Sequence, residues 1–278
     1  MERSKVGVNW GAGLHTAAGA SVDGEAYDQY IGRWSRLFVP AVLAAAEIRS
    51  GDRALDVATG TGEAAQLALQ QVGDFGLVVG VDISRAMLDA ACIRLSGQRF
   101  VPVISDGQAL VFPDATFDAV VCQLGLMFFP DPPRALAEFR RVLRPGRCAA
   151  VCVISSPDQA PMWGVLADVL ARYLPEQKQA LHLSFWLADA AHLESLLGAA
   201  GFHDVRVARE TREGVIESFA EYWAPIEAGV GQMPQAYLAL PDPSRRAVRA
   251  EVEARLSHFA VDGRLLMKAG MLIGVGRA

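Results

Sequence analysis

An acidic residue precedes a glycine-rich turn near residue 60. Asp56 lies in the short apolar run Arg53–Ala58, and Gly60 and Gly62 follow directly before a helical pattern that begins at Glu63. Glycine lets the backbone approach a ligand closely, and the N-terminus of a helix offers free N–H groups to an anion. This turn is therefore a candidate site for a nucleotide or a related cofactor.

Two cofactor classes fit this turn, and Asp56 distinguishes them. The spacing of Gly60, Gly62 and Ala65 matches the fingerprint of dinucleotide-binding proteins, in which the turn holds a pyrophosphate. A carboxylate about 4 Å from that anion would cost roughly 4 kcal/mol at an effective dielectric of about 20. The same carboxylate favours a cation, and S-adenosylmethionine carries a sulfonium and an ammonium but no phosphate. The alternative is a carboxylate that only stabilises the turn.

Two further acidic residues follow the next two apolar runs. Asp82 ends the second run, where its carboxylate could accept from two ribose hydroxyls. Asp106 follows the third run and could accept from an adenine amino group. Each residue alone could equally cap a helix or stabilise a turn. Because parallel strands end at one edge of a sheet, the three acids together outline one elongated pocket that accepts a cation.

Alternating short apolar runs and helical patterns between residues 50 and 155 position these acids. The candidate strands are Arg53–Ala58, Leu77–Val81, Phe100–Ile104, Phe117–Cys122 and Ala149–Ile154. The candidate helices are Glu63–Val72, Arg85–Leu95 and Pro132–Leu143, the last with Asp131 as its cap. This alternation predicts an α/β fold with a parallel sheet and helices on both faces.

Later segments are predicted to complete the sheet around a helical insertion. Strand signals occur at Asp204–Arg209 and Leu265–Val275, and helical patterns at Pro161–Leu174, Ala190–Ala200, Ile216–Tyr222 and Ser244–Phe259. We predict a flexible segment and cap helices over residues 1–49 and the cofactor-binding core over 50–210, with a helical segment at about 157–200. A helical cap insertion over 211–263 and a final strand over 264–278 follow.

The motifs resemble those of a known enzyme family. Residues 50–155 are similar to class I S-adenosylmethionine-dependent methyltransferases, in the small-molecule branch related to the quinone-biosynthesis methyltransferases. The segments that carry the resemblance are Leu55–Gly62, Val81–Ser84, Ser105–Gln108, Phe112–Asp118 and Arg141–Gly146. The resemblance implies a Rossmann-like, seven-stranded, mostly parallel sheet whose last strand is antiparallel. Ala58 departs from the pattern, because many members have a glycine at this position.

The resemblance also implies which residues contact the cofactor. It places Asp56 and the glycine turn near the methionine part, and Asp82 on the ribose. It places Asp106 with Gly107 at the adenine, and Gln123 at the methionine end facing the acceptor. The full predicted set is Tyr27, Tyr30, Arg33, Asp56, Ala58, Thr59, Gly60, Gly62, Asp82, Ile83, Met87, Asp106, Gly107, Gln108 and Gln123.

Every Trp, Tyr and His lies outside residues 51–154, which predicts that the flanking segments bind the acceptor. We expect aromatic side chains of the N-terminal helices and of the late insertion to line a pocket for an apolar or aromatic molecule, unless they serve only helix packing. Tyr27 and Tyr30 are predicted to lie over the cofactor. Arg33 is expected either to meet the cofactor carboxylate or to form a surface salt bridge.

Methyl transfer needs an aligned acceptor and the exclusion of water, but it needs no metal. The histidines show no metal-ligand spacing, so we predict no metal site. A base is required only if the acceptor must lose a proton. His182, near Phe185 and Trp186, is the leading candidate, with Glu221 and His258 behind it. A purely structural histidine is the alternative.

Composition excludes several other classes of protein. The 278 residues carry 26 Lys and Arg against 31 Asp and Glu, which gives a net charge of -5 and argues against nucleic-acid binding. The longest apolar runs fall short of the ~20 residues that span a bilayer. The four cysteines form no CxxC pair and fit a reducing compartment. We expect a cytoplasmic protein with a small-molecule acceptor as its partner and no membrane insertion, and the apolar late insertion could form a homodimer contact.

Two other functions remain as alternatives. A nicotinamide-dependent oxidoreductase would share the glycine turn, but Asp56 opposes it and no Tyr-x-x-x-Lys pair is present. A protein of the same fold could instead bind S-adenosylmethionine without transferring its methyl group. Ligand binding separates the first alternative from a methyltransferase, and turnover of an acceptor separates the second.

Overall fold

A single mixed β-sheet organises residues 27–278, the part of the chain that this computed structural model describes. Its strands are β1 (Arg53–Val57), β2 (Leu77–Asp82), β3 (Phe100–Ile104), β4 (Phe117–Gln123), β5 (Leu143–Ile154), β6 (His203–Ile216), β7 (Ala260–Val261) and β8 (Arg264–Arg277). Seven of them lie in the order β3-β2-β1-β4-β5-β8-β6, and the two-residue β7 pairs with β8 beside this series. The predicted Rossmann-like sheet is confirmed. The N-terminal part of the predicted flexible segment, residues 1–26, lies outside the described residues.

The parallel strands place the predicted acids at one edge. Strands β3, β2, β1, β4 and β5 pair in parallel, and β8 is antiparallel to both β5 and β6. The strand order reverses between β1 and β4, because the chain builds outward from β1 to β3 and then returns to the other side. A crevice at the carboxyl ends of the strands is expected at this reversal, and ligands of such sheets bind there.

Helices cover both faces of the sheet, and three of them lie between β6 and β7, where a helical insertion was predicted. The α-helices are Arg33–Ser35, Val39–Ala45, Glu63–Val72, Arg85–Arg94, Pro132–Val142, Pro161–Tyr173, Lys178–Leu181, Ala190–Ala199, Phe219–Glu227, Gln232–Leu238 and Asp242–Leu256. Asp131 accepts a hydrogen bond from the backbone N–H of Arg134, as its predicted cap role requires. Short 3₁₀ turns lie at Leu126–Phe128, Pro175–Gln177, Leu183–Phe185 and Ser257–Phe259.

The antiparallel end of the sheet differs most from expectation. β6 continues to Ile216, past the predicted strand end at Arg209 and past the predicted boundary at residue 210. The helix predicted at Ile216–Tyr222 therefore begins later, at Phe219, and the helix Gln232–Leu238 was not predicted. β6 lies at the edge of the sheet and its residues alternate between half-buried and exposed, so its charged residues hide the strand pattern.

The N-terminal described segment packs over the carboxyl edge of the sheet. It begins with a π-helical turn, Asp28–Gly32, and π-helical turns occur frequently at functional sites. Trp34 is 1% exposed and packs so closely on β6 that a Cβ at Gly214 would lie 2.5 Å from its ring.

No helix among residues 27–278 is long and apolar enough to cross a membrane.

Candidate functional site

Asp56 is a buried carboxylate at the end of β1. It is 1% exposed, and its Oδ2 accepts a hydrogen bond of 2.7 Å from the Thr59 hydroxyl. Its Oδ1 finds no hydrogen-bond partner in the described part of the chain. Burial raises the pKa of Asp56 to about 7, and the charge of Asp82 adds to the rise, although the Thr59 hydroxyl and the backbone N–H of Ala65 oppose it. A buried oxygen that accepts nothing is a group that a ligand donor would complete.

The turn after β1 adopts the left-handed backbone that its glycines favour. Gly60 and Gly62 have φ of 54° and 87°, and the helix begins at Glu63. A Cβ at Gly60 would meet no atom of residues 27–278 within 4 Å, whereas at Gly62 it would contact the helix Arg85–Arg94. Ala58 also has a positive φ, 56°, which strains the backbone of a residue with a Cβ. This is the position at which the resemblance led us to expect a glycine. Gly60 thus leaves open space beside Asp56.

Asp82 supports the same turn from the end of β2. Its Oδ2 accepts from the backbone N–H of Gly60 at 3.0 Å, and its Oδ1 accepts from that of Ser84 at 2.9 Å. Burial raises the pKa of Asp82, while these backbone bonds oppose the rise. Ile83 beside it is 39% exposed, and the backbone N–H of Met87 donates to the capping hydroxyl of Ser84. Each carboxylate oxygen keeps a lone pair for a hydroxyl donor.

The residues predicted at the adenine form a local turn after β3. Asp106 is exposed, and its Oδ1 accepts from the backbone N–H and the side-chain amide of Gln108 at 2.9 and 3.1 Å. Gln108 in turn accepts from the backbone N–H of Asp131 at 2.7 Å. Gly107 is required by packing, because a Cβ there would lie 2.7 Å from the ring of Phe129.

A cavity of about 30 Å³ lies between β1, β4 and the N-terminal segment. The predicted residues that line it are Tyr27, Asp56, Ala58, Thr59, Gly60 and Gln123. Gln123 donates from Nε2 to the Ser35 carbonyl at 3.3 Å, and its Oε1 is buried without a partner among residues 27–278. Two orphaned oxygen acceptors, on Asp56 and Gln123, therefore border one cavity.

Tyr27 and Leu124 add to the wall of this cavity. Burial raises the pKa of the Tyr27 hydroxyl, and the nearby carboxylate of Asp82 adds to the rise. Tyr27 therefore lies close to the carboxylate that was predicted to bind the ribose. Leu124, which was not predicted, has a left-handed φ of 55° directly after β4.

An ion-pair cluster fastens the N-terminal segment beside the cavity. Arg94 bridges the carboxylates of Asp28 and Glu63, and Arg36 donates two bonds of 3.0 and 3.1 Å to Glu63. The Thr61 hydroxyl donates to Asp28 at 3.0 Å. Sequence reasoning missed this cluster, because no local spacing relates residues that lie 66 positions apart.

Several predicted site residues do not line the cavity, among them Tyr30, Arg33 and His182. Arg33 forms an ion pair of 2.5 Å with Glu221. A salt bridge was the alternative to the predicted contact of Arg33 with the cofactor carboxylate. Tyr30 is buried but does not line the cavity. The two ring nitrogens of His182 lie 2.9 Å from the Lys178 carbonyl and from Asp168, and His182 does not line the cavity, so its role as a base stays a prediction. His258 Nδ1 lies 3.2 Å from the Arg255 carbonyl at the end of the preceding helix.

Other candidate sites among the described residues offer less chemistry. No group of three or more His, Cys, Asp or Glu side chains in residues 27–278 could hold a metal ion. A larger cavity of about 330 Å³ lies between the helix Val39–Ala45 and the strands β6 and β8. Its lining is mostly alanine and aliphatic residues, and it includes none of the predicted site residues.

Comparisons with known proteins agree with this geometry. A family profile described as a methyltransferase domain matches residues 55–150. The chain is 40% identical over 126 residues to the ubiquinone/menaquinone biosynthesis C-methyltransferase UbiE of Xanthomonas campestris pv. campestris, covering 44% of this chain and 48% of the relative. It is 36% identical over 192 residues to UbiE of Teredinibacter turnerae, covering 62% of this chain and 75% of the relative.

A solved structure shows the same fold at low identity. The phosphoethanolamine N-methyltransferase 2 of Haemonchus contortus superimposes with a TM-score of 0.59 at 17% identity, covering 98% of this chain and 61% of that one. The matched region spans about half the length of the Xanthomonas relative and three quarters of the Teredinibacter relative. With that extent of similarity and the fold described above, the chain belongs to the class I S-adenosylmethionine-dependent methyltransferase family.

Proposed function

We propose that this protein transfers a methyl group from S-adenosylmethionine to a small, apolar or aromatic acceptor by in-line displacement. The observation that carries the proposal is the pair of orphaned oxygens, Asp56 Oδ1 and Gln123 Oε1, on one cavity at the sheet edge. The Gln123 oxygen is always an acceptor, and the Asp56 oxygen is an acceptor when the carboxylate is ionised. A ligand group that forms hydrogen bonds to both must therefore be a donor. The ammonium of the cofactor's methionine part has three N–H donors and the matching charge.

The remaining contacts follow from the geometry of the edge. Asp82, held by the backbone of Gly60 and Ser84, retains acceptor capacity for ribose hydroxyls. The open space at Gly60 leaves room for a ligand against the backbone. Tyr27 lies over this edge, where its ring would cover the cofactor. We keep Asp106, Gly107 and the Ile83 side chain as proposed adenine contacts, because they continue the same edge outward.

S-adenosylmethionine, when bound, supplies an electrophilic methyl group on a sulfonium, and this group needs no metal. The chain has to hold the acceptor in line and keep water away. The segment from Tyr27 to Ser35 serves the second task, because four of its residues line the cavity of about 30 Å³. None of the described residues lining the cavity is a histidine. We therefore propose catalysis by alignment, with no residue assigned as a base.

A quinol-like aromatic ring is the acceptor class that we propose. The curated relatives are named as quinone-biosynthesis C-methyltransferases. The late insertion carries an aromatic group in which Phe219 stacks on Trp223 at 5.5 Å between ring centroids and lies 5.9 Å from Tyr222. Such side chains bury large apolar area and favour aromatic ligands.

Cofactor binding and transfer test the proposal together. We expect calorimetry to detect S-adenosylhomocysteine binding and no NADH binding. Asp82→Ala should weaken the former at least tenfold, because two hydrogen-bond acceptors are lost. Asp89→Ala, which removes an exposed carboxylate paired with Arg85, is the matched control and should bind normally. Labelled methyl transfer from S-adenosylmethionine to 1,4-naphthalenediol should follow. NADH binding, or no transfer to any aromatic acceptor, would contradict the proposal.

A further inference from the structure

Two buried hydrogen-bond donors lie outside the cofactor cavity. The Tyr30 side chain is 5% exposed and Trp163 is 1% exposed. Neither the Tyr30 hydroxyl nor the Trp163 Nε1 has a hydrogen-bond partner within residues 27–278. Burying a polar group without a partner costs free energy, and native structures contain few such groups. These two donors therefore require an explanation that packing alone does not give.

Three helical segments meet near these donors. The π-helical turn Asp28–Gly32, which carries Tyr30, packs against the helix Phe219–Glu227. From that helix, the Tyr222 hydroxyl donates to the carbonyl of Met162, the neighbour of Trp163, at 2.7 Å. Tyr30 also lies close enough to Tyr222 to contribute to the raised pKa of its hydroxyl. Tyr222 thus connects the two segments that carry the unpartnered donors.

This junction adjoins the proposed cofactor site. Ile31, the neighbour of Tyr30, lines the cofactor cavity, and so does Gln123. Gln123 is bonded to the Ser35 carbonyl of the same N-terminal segment. The surroundings are aromatic, because Phe219 and Trp223 lie on the helix that packs against Tyr30. A molecule held here would lie between the cofactor edge and the insertion.

We propose that the Tyr30 hydroxyl and the Trp163 indole N–H recognise an oxygen substituent on the ring of the acceptor. The inference rests on the proposed function and adds the residues that read the substrate. An indole N–H can only donate, and a hydroxyl oxygen or a carbonyl oxygen can accept from both groups. The site selects an oxygenated aromatic ring over the corresponding hydrocarbon, because the hydrocarbon leaves both donors unsatisfied.

The melting temperature distinguishes a buried hydroxyl that binds a ligand from one that stabilises the fold. Replacing Tyr30 by Phe removes an unsatisfied buried group, so the melting temperature of the free protein should stay the same or rise. Tyr237→Phe is the matched control, because the Tyr237 hydroxyl donates to Glu227 at 2.8 Å. Loss of that satisfied bond should lower the melting temperature by about 2 °C.

The test uses the full chain saturated with S-adenosylhomocysteine and measures binding of 1-naphthol and naphthalene by equilibrium dialysis. We expect the wild-type protein to bind 1-naphthol more tightly than naphthalene. Tyr30→Phe should weaken 1-naphthol binding about three- to tenfold and leave naphthalene binding unchanged. Tyr237→Phe should alter neither.

Several outcomes would overturn the inference. They are equal binding of the two probes by the wild-type protein, no binding of 1-naphthol, and unchanged 1-naphthol binding in Tyr30→Phe. Affinity for S-adenosylhomocysteine is measured in the same samples and should be equal in all three proteins. If S-adenosylhomocysteine does not bind to the wild-type protein, the proposed function fails instead.

Discussion

At the scale of single residues, the buried charge of Asp56 lowers the stability of the free protein, and a bound cationic ligand can offset this loss. Its pKa is raised from 3.8 to about 7 because the charged form is buried. The folded protein therefore keeps a proton that the unfolded chain releases as pH rises above about 4. Stability from this group is full below pH 4, falls between about pH 4 and pH 7, and is lost above pH 7. A shift of about three pKa units corresponds to at most roughly 4 kcal/mol.

Asp56→Asn should remove this pH dependence. At pH 4 the variant and the wild type should have similar free energies of unfolding in urea. At pH 8 the free variant should be the more stable by up to a few kcal/mol, because it has no charge to bury. Calorimetry should show the opposite for S-adenosylhomocysteine, which the variant binds at least tenfold more weakly at pH 8. A parallel pH slope in both proteins would show that Asp56 does not titrate as described.

Two glycines with the same backbone strain provide a matched pair at the same scale. Gly60 and Gly97 both have left-handed φ, 54° and 76°, and a Cβ at either would meet no described atom within 4 Å. Alanine at each position should therefore cost about 1 kcal/mol of stability. Only Gly60→Ala should also weaken S-adenosylhomocysteine binding in calorimetry, because only Gly60 borders the cavity. Equal affinities in the two variants would remove Gly60 from the site.

At the scale of elements, the Arg94 cluster joins the N-terminal segment to the helices that follow β1 and β2. Arg94→Ala leaves Asp28 without its ion pair and leaves Glu63, 8% exposed, with Arg36 alone. We expect a loss of about 2 kcal/mol in urea denaturation, since the partners are largely buried. Arg85→Ala on the same helix breaks an exposed pair and should have little effect on the free energy of unfolding, because water and salt screen exposed charges. Similar losses in both variants would mean that the cluster does not fasten the segment.

The elements themselves were predictable where local pattern decides them. The helix Glu63–Val72 begins and ends as its apolar spacing predicts, and the capped helix after Asp131 differs by one residue. β6 was not predictable in full, because an edge strand pairs with one neighbour and tolerates charges on its exposed face. The division into a core to residue 210 and a cap insertion from residue 211 stays a prediction, as does a homodimer.

At the scale of the whole molecule, sequence predicts what neighbours along the chain decide. Strand and helix alternation gave the parallel sheet, and the sheet brought Asp56, Asp82 and Gln123 to one edge. The sequence pattern did not predict contacts between segments that are distant along the chain. Arg33 and Glu221 lie 188 positions apart, and the environment of His182 depends on how its turn packs against Asp168. No spacing rule contains such pairs, because they follow from how segments that are distant along the chain pack against each other.

The small volume of the cofactor cavity has a kinetic consequence for the whole molecule. A cavity of about 30 Å³ holds roughly one water, whereas small-molecule sites usually have ~300–1,000 Å³. We therefore expect the segment from Tyr27 to Ser35 to open before the methionine part of the cofactor enters the cavity. In stopped-flow fluorescence, the observed rate of S-adenosylhomocysteine binding should reach a plateau as its concentration rises, because opening becomes limiting.

Glu221→Gln should raise that plateau about two- to fivefold, because it weakens a half-exposed ion pair that holds Arg33 in the closed segment. The substitution preserves the shape of the side chain and its bond from the Glu217 backbone N–H. Arg85→Ala should leave the plateau unchanged, since its ion pair does not touch the segment. A rate that rises linearly to the highest concentration would mean that the cavity is already open in solution.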